Sequence, residues 1–403
     1  MDWFIQLLVE HGVANTLVVI AVIIAVGLTL SKIKMGRVNL GVTWILFAGI
    51  AAGQAGLSIE PCSALFIKEF GLILFIYSIG IEVGPKFFAA FKSGGVLLNT
   101  LAAVLILLGC LTALCIGVLS GTDPAAMVGV LYGAVTNTPG LGAAQQAFTD
   151  LTGGSSNPLF AQGYAMAYPL GVVGIILSIT FLRSMFRINL DHENELYQRN
   201  ASRNGIELQR ELAAKQKPTN HQPNLFFIFF GTALGVVLGM LPIHVPGMAV
   251  PVKIGLAGGP LIVSILLTYF GPRLHINTHT TESANLMIRQ IGISLFMAAV
   301  GLGAGKGFLQ TVVNGGYMWV LYGVIVTMIP CLLVGIVARW FCHLSYFTIA
   351  GLISGATTDP PALAYSNDIC GGSQASIAYT TVYPLSMFLR VIAAQLMVVF
   401  TCI

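Results

Sequence analysis

Gly133-Ala-Val-Thr-Asn-Thr-Pro-Gly-Leu-Gly142 interrupts one long apolar run of the sequence, and Gly355-Ala-Thr-Thr-Asp-Pro-Pro-Ala-Leu363 interrupts another. Thr, Asn, Asp, Pro and Gly in the middle of an apolar run are residues that end one helix and begin the next. Each stretch has a capping residue before a proline, in Thr138-Pro139 and in Asp359-Pro360. The sequence therefore predicts two broken helices whose centres are not helical.

The composition indicates that these helices lie in lipid. Of 403 residues, 56% are hydrophobic and only 8% are charged. Soluble domains carry about 25% charged residues, and disordered chains are poor in apolar residues, so both classes are excluded. One helical crossing takes about 20 apolar residues. The chain is therefore predicted to be an all-α polytopic membrane protein.

Twelve apolar segments fall into two sets of six around a polar linker. The first set covers residues 13–30, 40–55, 70–83, 96–119, 125–148 and 161–182, and the second covers 225–241, 254–270, 286–302, 317–338, 347–364 and 377–399. Ten charged residues lie in residues 191–224, between the sets. The predicted units are a first membrane repeat, residues 1–190, a cytoplasmic linker, residues 191–224, and a second membrane repeat, residues 225–403.

The two sets are copies of one another. The matches are Gly71 with Gly292, Gly80 with Gly301 and Gly84 with Gly305 at an offset of 221, Gly133 with Gly355 and Pro139 with Pro361 at 222, and Tyr168-Pro169 with Tyr383-Pro384 at 215. Three collinear blocks at nearly one offset are hard to attribute to shared apolar composition. Internal repeats of this kind are common in secondary transporters.

The positive-inside rule sets the orientation of the halves. With the N-terminus outside, the inside bases of the first half are Lys32, Lys34, Arg37, Lys86 and Lys92. Arg183 and Arg187 are also inside only if the fifth segment enters and returns on one side. The same logic in the second half places Arg273 and Arg339 inside and leaves Lys253 and Lys306 outside.

Each half then has five transmembrane helices and one re-entrant segment, which gives about ten crossings in all. An odd number of crossings makes the halves antiparallel, and this is an inverted repeat. Six full crossings per half would give parallel repeats instead, and this alternative is less favoured because it strands two arginines outside.

The two broken centres are the predicted substrate site. Non-helical backbone at membrane depth is tolerated where it is buried or lines a wet cavity, and exposed amides at helix N-termini bind carboxylates. The predicted substrate-binding residues are Thr136, Asn137, Thr138, Pro139, Gly140, Thr357, Thr358, Asp359, Pro360, Pro361 and Arg390. The alternative is that these glycines and prolines only kink membrane helices.

Asp359 and Arg390 are charged residues within apolar segments, where ionisable groups are functional by default. Asp359 is expected to bind a substrate ammonium, a proton or a sodium ion, or else only to cap a helix. Arg390 is expected to bind a substrate carboxylate, or else to pair with Asp359 or Glu82. Lys68 and Arg289, at helix starts, are interpreted as interface anchors.

Several motifs together resemble the bacterial aspartate:alanine exchanger family of transporters. They are Phe70-Gly-Leu-Ile-Leu-Phe75, the turn Gly80-Ile-Glu-Val-Gly-Pro85, Gly133-Ala-Val-Thr-Asn-Thr-Pro139, Tyr164-Ala-Met-Ala-Tyr-Pro169, Gly258-Gly-Pro-Leu261, Ser283-Ala-Asn-Leu286 and Thr358-Asp-Pro-Pro-Ala-Leu363. The resemblance implies an antiporter of the bacterial inner membrane with both termini in the periplasm. Members of the family carry a pair of soluble regulatory domains between the halves, and the linker here is too short to hold even one.

The expected function is exchange of small amino acids or carboxylates, of the aspartate and alanine type, by alternating access. A proton- or sodium-coupled carboxylate transporter is the alternative, and an intramembrane enzyme or a channel is less favoured. No metal and no cofactor are expected, because no ligand or nucleotide motif is present. The expected partners are a small anionic or zwitterionic substrate and the lipid bilayer, without nucleic acid, and a homodimer is left open.

Overall fold

The computed structural model describes residues 12–32, 41–87, 95–154, 156–190, 193, 223–243, 252–274, 278, 280–370 and 374–402. Within these residues the protein is all-α apart from β1, Pro242–Ile243, which pairs antiparallel with β2, Val252–Lys253. Most of the predicted linker and the bases Lys34, Arg37 and Lys92 lie outside the described residues.

Within the described residues, each half contains seven helices of 11 or more residues. The first half contains α1 Val13–Leu30, α2 Thr43–Gln54, α3 Pro61–Phe87, α4 Gly95–Ser120, α5 Pro124–Ala134, α6 Thr138–Leu151 and α7 Leu159–Met185. The second contains α8 Leu225–Met240, α9 Gly255–Phe270, α10 Glu282–Gly305, α11 Met318–Trp340, α12 Tyr346–Ala356, α13 Pro360–Cys370 and α14 Gln374–Thr401. A 3₁₀ turn, Gly271–Leu274, follows α9, and a short helix, Phe308–Thr311, leads into a π-helical turn, Val312–Gly316.

Among the described residues, eight helices are long and apolar enough to cross a membrane: α1, α3, α4, α7, α9 with its 3₁₀ turn, α10, α11 and α14. Their exposed faces are apolar, as in Leu107 and Phe400, because lipid takes the place of water there. The difference from the ten predicted crossings comes from α2 and α8, with 12 and 16 residues. These helices are only about 18 and 24 Å long, and the hydrocarbon core is about 30 Å thick.

One predicted turn is wrong. Gly80 to Pro85 continues as helix within α3, because a single proline is tolerated in a membrane helix. The same helix begins at Pro61, nine residues before the predicted start at Phe70. Lys68 and Glu69 therefore lie inside α3 and not before it.

The repeat-related helices α3 and α10 cross at matching glycines. A Cβ atom on Gly71 would lie 2.8 Å from the carbonyl oxygen of Gly292, and one on Gly292 would lie 2.7 Å from that of Gly71. Further along α3, Ser78 accepts a hydrogen bond from Arg289, which precedes Gly292 in α10. The two helices therefore run antiparallel.

The first helix of each broken segment, α5 or α12, packs on the long helix that follows the segment. The closest approaches are Gly129 with Phe160, Gly133 with Tyr164, Gly351 with Ala375 and Gly355 with Tyr379. Both residue numbers rise together in each pair of contacts. Consequently α5 runs parallel to α7, and α12 runs parallel to α14.

The helices form two groups, and each group contains equivalent helices from both halves. The frame group consists of α1, α2, α3, α8, α9 and α10, with the α3–α10 crossing at its centre. The tip group consists of α4 to α7 and α11 to α14, and it contains both broken segments. The tip group contains the site described next.

Candidate functional site

The first break begins where α5 ends in a left-handed residue. The amide of Asn137 donates to the carbonyl of Tyr132 at 2.9 Å, and the amide of Thr136 donates to that of Gly133 at 3.0 Å. This is the hydrogen-bond pattern of a Schellman motif, whose left-handed position is usually glycine. Here Thr136 occupies it, with φ of 54°.

The second break has the same geometry. The amide of Asp359 donates to the carbonyl of Ser354 at 2.9 Å, and that of Thr358 donates to Gly355 at 3.1 Å. Thr358 has φ of 57°. A β-branched residue at positive φ is an outlier that costs about 1–3 kcal/mol. Two such residues at repeat-related positions indicate a backbone shape that both halves maintain.

The two tips, residues 134–140 and 356–362, touch each other in the protein interior. The side-chain amide of Asn137 donates to Thr358 Oγ1 at 3.0 Å and to the sulfur of Met387 at 3.3 Å. Thr136 Oγ1 donates more weakly to the carbonyl oxygen of Thr357 at 3.4 Å. Asn137, Thr357 and Thr358 are buried. The structure thus brings the two predicted segments together.

The predicted cap of α6 is wrong by one residue. Asn137, with non-helical φ and ψ, is the N-cap, and its Oδ1 accepts from the amide of Gly140 at 2.7 Å. Thr138 lies in the first turn, because the helix begins one residue earlier than Pro139. Its hydroxyl meets the hydroxyl of Tyr164 at 2.9 Å.

The tip amides are not arranged as the sequence predicted. The amides of Thr136, Asn137, Thr357, Thr358 and Asp359 donate to carbonyls of the half-helices that precede them. Pro139, Pro360 and Pro361 have no N–H to donate. The groups that remain at the tips are therefore mainly side chains.

Asp359 is fully buried, and neither carboxylate oxygen has a hydrogen-bond partner among the described residues. The amide of Ala362, three residues on, lies near the carboxylate without reaching hydrogen-bond geometry. Its repeat mate Asn137 does make the equivalent cap bond. A buried carboxylate without hydrogen bonds is costly unless a cation, proton or ligand satisfies it.

Arg390 is also buried, and its guanidinium lies at the end of α12. Its Nε donates to the carbonyl of Ala356, the last residue of that half-helix, at 2.8 Å. A cation at a helix C-terminus is electrostatically favourable. Nη2 has no partner among the described residues. On the other side, the hydroxyl of Tyr132 donates to the backbone carbonyl of Arg390 at 2.8 Å.

The expected structural pairing of Arg390 with Asp359 or Glu82 is absent from the described residues, since no such pair lies within 4 Å. Glu82 pairs instead with Arg289, across the α3–α10 crossing. Arg289 is therefore an inter-helix partner as well as a residue near a helix start. Asp359 and Arg390 stand as separate buried charges at the same tip.

Sequence reasoning missed three contacts of the tips: Tyr132, Tyr164 and Met387. Tyr164 had a detectable signal, because it matches Tyr379 in the repeat. Tyr132 and Met387 had none, since both read as ordinary apolar residues of membrane helices. Their roles depend on partners 258 and 250 residues away.

Comparisons with known proteins agree with this architecture. The Asp-Al_Ex family model, described as a predicted permease membrane region, matches residues 19–184 and 227–399. An uncharacterized transporter of Bacteroides fragilis is 38% identical, covering 96% of this chain and 96% of its own. An uncharacterized transporter of Bacteroides thetaiotaomicron is 36% identical, with 98% and 99% covered. A protein named as a transport protein in Aeromonas hydrophila is 32% identical, with 96% and 98% covered. No solved structure matches the chain.

Proposed function

The chain belongs to the aspartate:alanine exchanger family of membrane permeases and is a membrane transporter, and from that premise we propose that it is a secondary antiporter of small amino acids or carboxylates. The observation that carries the proposal is the meeting of two broken helices with Asp359 and Arg390 Nη2 unpartnered beside them. A carboxylate and a guanidinium at one tip match the ammonium and carboxylate of a small zwitterion.

The proposed topology is an inverted repeat in which α5–α6 and α12–α13 are re-entrant hairpins. The antiparallel crossing of α3 and α10 supports the inversion. The parallel packing of α5 on α7 and of α12 on α14 supports re-entry, because each half-helix then starts on the same membrane side as the helix that follows the hairpin. Bacterial inner-membrane location, periplasmic termini and a cytoplasmic linker belong to the same proposal.

Alternating access would come from motion of the tip group against the frame group. Glycine contacts bind each hairpin to α7 or α14, so the hairpins and these helices move together. The frame group is held by the α3–α10 crossing. Inverted repeats make the inward-facing and outward-facing arrangements nearly equivalent in packing, and this lets one site face either side.

In this proposal Arg390 binds the substrate carboxylate through Nη2, while its Nε stays on Ala356. Asp359 binds the substrate ammonium, and Thr136, Asn137, Thr138, Gly140, Thr357 and Thr358 with the three tip prolines shape the pocket. Pro139, Pro360 and Pro361 keep backbone donors out of the tip, so the side chains decide specificity. The substrate crosses unchanged, as expected for a transporter and not an enzyme.

Counterflow in proteoliposomes tests the proposal. Vesicles loaded with unlabelled aspartate, alanine or succinate should accumulate the labelled compound from outside if the internal compound is a substrate. Empty vesicles should not accumulate it. Asp359→Asn and Arg390→Lys should each lower exchange at least tenfold, because each removes a charge or a bidentate geometry that the bound substrate needs. Thr100→Val, on the exposed face of α4, is the control that should leave exchange unchanged. Unchanged exchange in both site variants would exclude this site.

A second candidate, ion-coupled transport, follows from the buried carboxylate of Asp359. A proton or sodium ion would satisfy its two oxygens and would link substrate movement to an ion gradient. Uptake into vesicles without internal substrate, driven by an imposed sodium or proton gradient, would favour coupling over exchange. Absence of gradient-driven uptake alongside robust counterflow would favour exchange.

A further inference from the structure

A cavity lined mainly by polar residues and glycine lies where α4 ends and α5 begins. It has a volume of about 680 Å³. It is lined by the α4–α5 turn, the start of α7, the loop that follows α10, and the start of α11. Small-molecule sites typically enclose about 300–1,000 Å³. We call it the entrance cavity, and none of its residues belongs to the tips.

The floor of the entrance cavity holds a buried amide with an unused acceptor. Gln162 is 2% exposed, and its Nε2 donates to the carbonyl of Ala304 at 2.9 Å. Its Oε1 has no hydrogen-bond partner among the described residues. A buried acceptor of this kind costs about 1–3 kcal/mol when it is left unsatisfied. An N–H donor bound in the cavity would satisfy it.

The charges on the cavity wall are of both signs. Lys306 follows the end of α10, and Asp123 caps α5 by accepting from the amide of Ala125 at 2.8 Å. No other charged side chain lines the cavity within the described residues. One cation and one anion lining the same cavity complement a zwitterion better than they complement a dicarboxylate or a simple cation.

The cavity also lies on the seam between the frame and tip groups. The bond from Gln162, in α7, to Ala304, in α10, joins the two groups at its floor. Two residues beyond Gln162, the hydroxyl of Tyr164 meets Thr138 at the first tip. Residues Asn314, Gly315 and Gly316 of the kinked segment Val312–Gly316 also line the cavity, and Gly315 has a positive φ of 109°.

We propose that the entrance cavity is a separate binding site for a zwitterionic amino acid, which it holds before the amino acid reaches the tips. The carboxylate binds Lys306, and the ammonium lies between Asp123 and Gln162 Oε1. This inference rests on the proposed function, since it assigns the substrate class of the exchanger. It adds that capture does not require Asp359 or Arg390.

Trp319 lines the cavity and reports occupancy. L-aspartate, L-alanine and succinate are titrated into the purified protein while tryptophan fluorescence is followed. We expect a saturable change with the two amino acids that disappears in Trp319→Phe and persists in Asp359→Asn, the variant in which exchange should be at least tenfold lower. Lys306→Gln should raise the midpoint for aspartate about two- to fivefold, as expected for a solvent-exposed charge pair.

Lys253→Gln is the matched control, because it removes a lysine from β2, which does not line the cavity. Equal midpoints in Lys306→Gln, Lys253→Gln and the unmodified protein would overturn the proposal. So would the absence of a Trp319-dependent signal with an amino acid that the protein exchanges. A retained signal in a protein that exchanges none of the three compounds would support the cavity and contradict the proposed exchange.

Discussion

At the level of single residues, the contact between the tips depends more on the hydroxyl of Thr358 than on the hydroxyl of Thr136. Thr358 Oγ1 accepts from Asn137 at 3.0 Å, and the carbonyl that Thr136 contacts lies at 3.4 Å, near the limit of a hydrogen bond. Both threonines share nearly the same positive φ. Substitutions of Thr136 and Thr358 can therefore be compared at nearly the same backbone strain.

Thr358→Val should destabilise the protein by about 1–3 kcal/mol, because it leaves the buried amide of Asn137 without its oxygen partner. Thr136→Val should cost less than about 1 kcal/mol, since the bond that it removes is weak. Thermal unfolding of the purified variants in one detergent checks the difference. Equal losses would show that strain at positive φ, and not the inter-tip bond, governs stability here.

At the level of elements, each half-helix is short and depends on close packing for its place. α5 has 11 residues, too few to be stable alone, and it touches α7 through backbone at Gly129. A Cβ atom at Gly129 would overlap the carbonyl oxygen of Phe160. In contrast, a Cβ atom at Gly303, within α10, would meet nothing within 4 Å.

Gly129→Ala should lower both stability, by about 1–3 kcal/mol, and the rate of exchange, because α5 must move away from α7. Gly303→Ala should raise stability by about 0.5–1 kcal/mol, the gain in helix propensity at an open position. Unfolding midpoints and counterflow rates of the two variants test the pair. A neutral Gly129→Ala would contradict close packing of α5 on α7.

The half-helix α12, in the second half of the chain, is anchored by Glu193, a residue of the predicted linker. Glu193 is 2% exposed, its Oε2 accepts from the amide of Tyr346 at 2.9 Å, and its other oxygen pairs with Arg339. The carboxylate thus lies at the N-terminus of α12, where negative charge is favourable. The ion pair of Arg289 with Glu82 is more exposed than the pair of Arg339 with Glu193, because the side chain of Glu82 is 48% exposed.

Glu193→Gln should cost about 1–3 kcal/mol, because it leaves Arg339 without its anion and weakens the helix terminus. Glu82→Gln should cost about 0–1 kcal/mol, as expected for a partly solvated pair. Chemical unfolding of both variants distinguishes the two pairs. If Glu82→Gln costs as much as Glu193→Gln, burial does not set the strength of these pairs.

At the level of the whole molecule, the membrane sides of four basic residues distinguish inverted from parallel repeats. In a variant with all native cysteines replaced by serine, Lys253→Cys and Lys306→Cys should react with an impermeant maleimide in intact spheroplasts. Arg187→Cys and Arg273→Cys should react only after permeabilisation. Labelling of Arg187→Cys from outside would instead support six full crossings in the first half.

The sequence alone determined the membrane class and the positions of both breaks. The bounds of helices such as α1 and α9 agree with the apolar segments to within a few residues, because hydropathy and helix-breaking residues act within about one turn, whereas α3 begins nine residues early. The family resemblance was also confirmed, since its motifs are local. Errors arose where a local signal was ambiguous, as at the proline in α3 and the cap of α6.

Only the tertiary structure decided which groups at the tips remain unpaired. Asn137 is bonded and its repeat mate Asp359 is not, although both precede proline-containing helix starts. Arg390 lies on a helix-end carbonyl and not on an acid. These outcomes depend on partners as many as 250 residues away, which chain spacing does not reveal. A buried polar group is defined by its neighbours in space, and packing selects those neighbours.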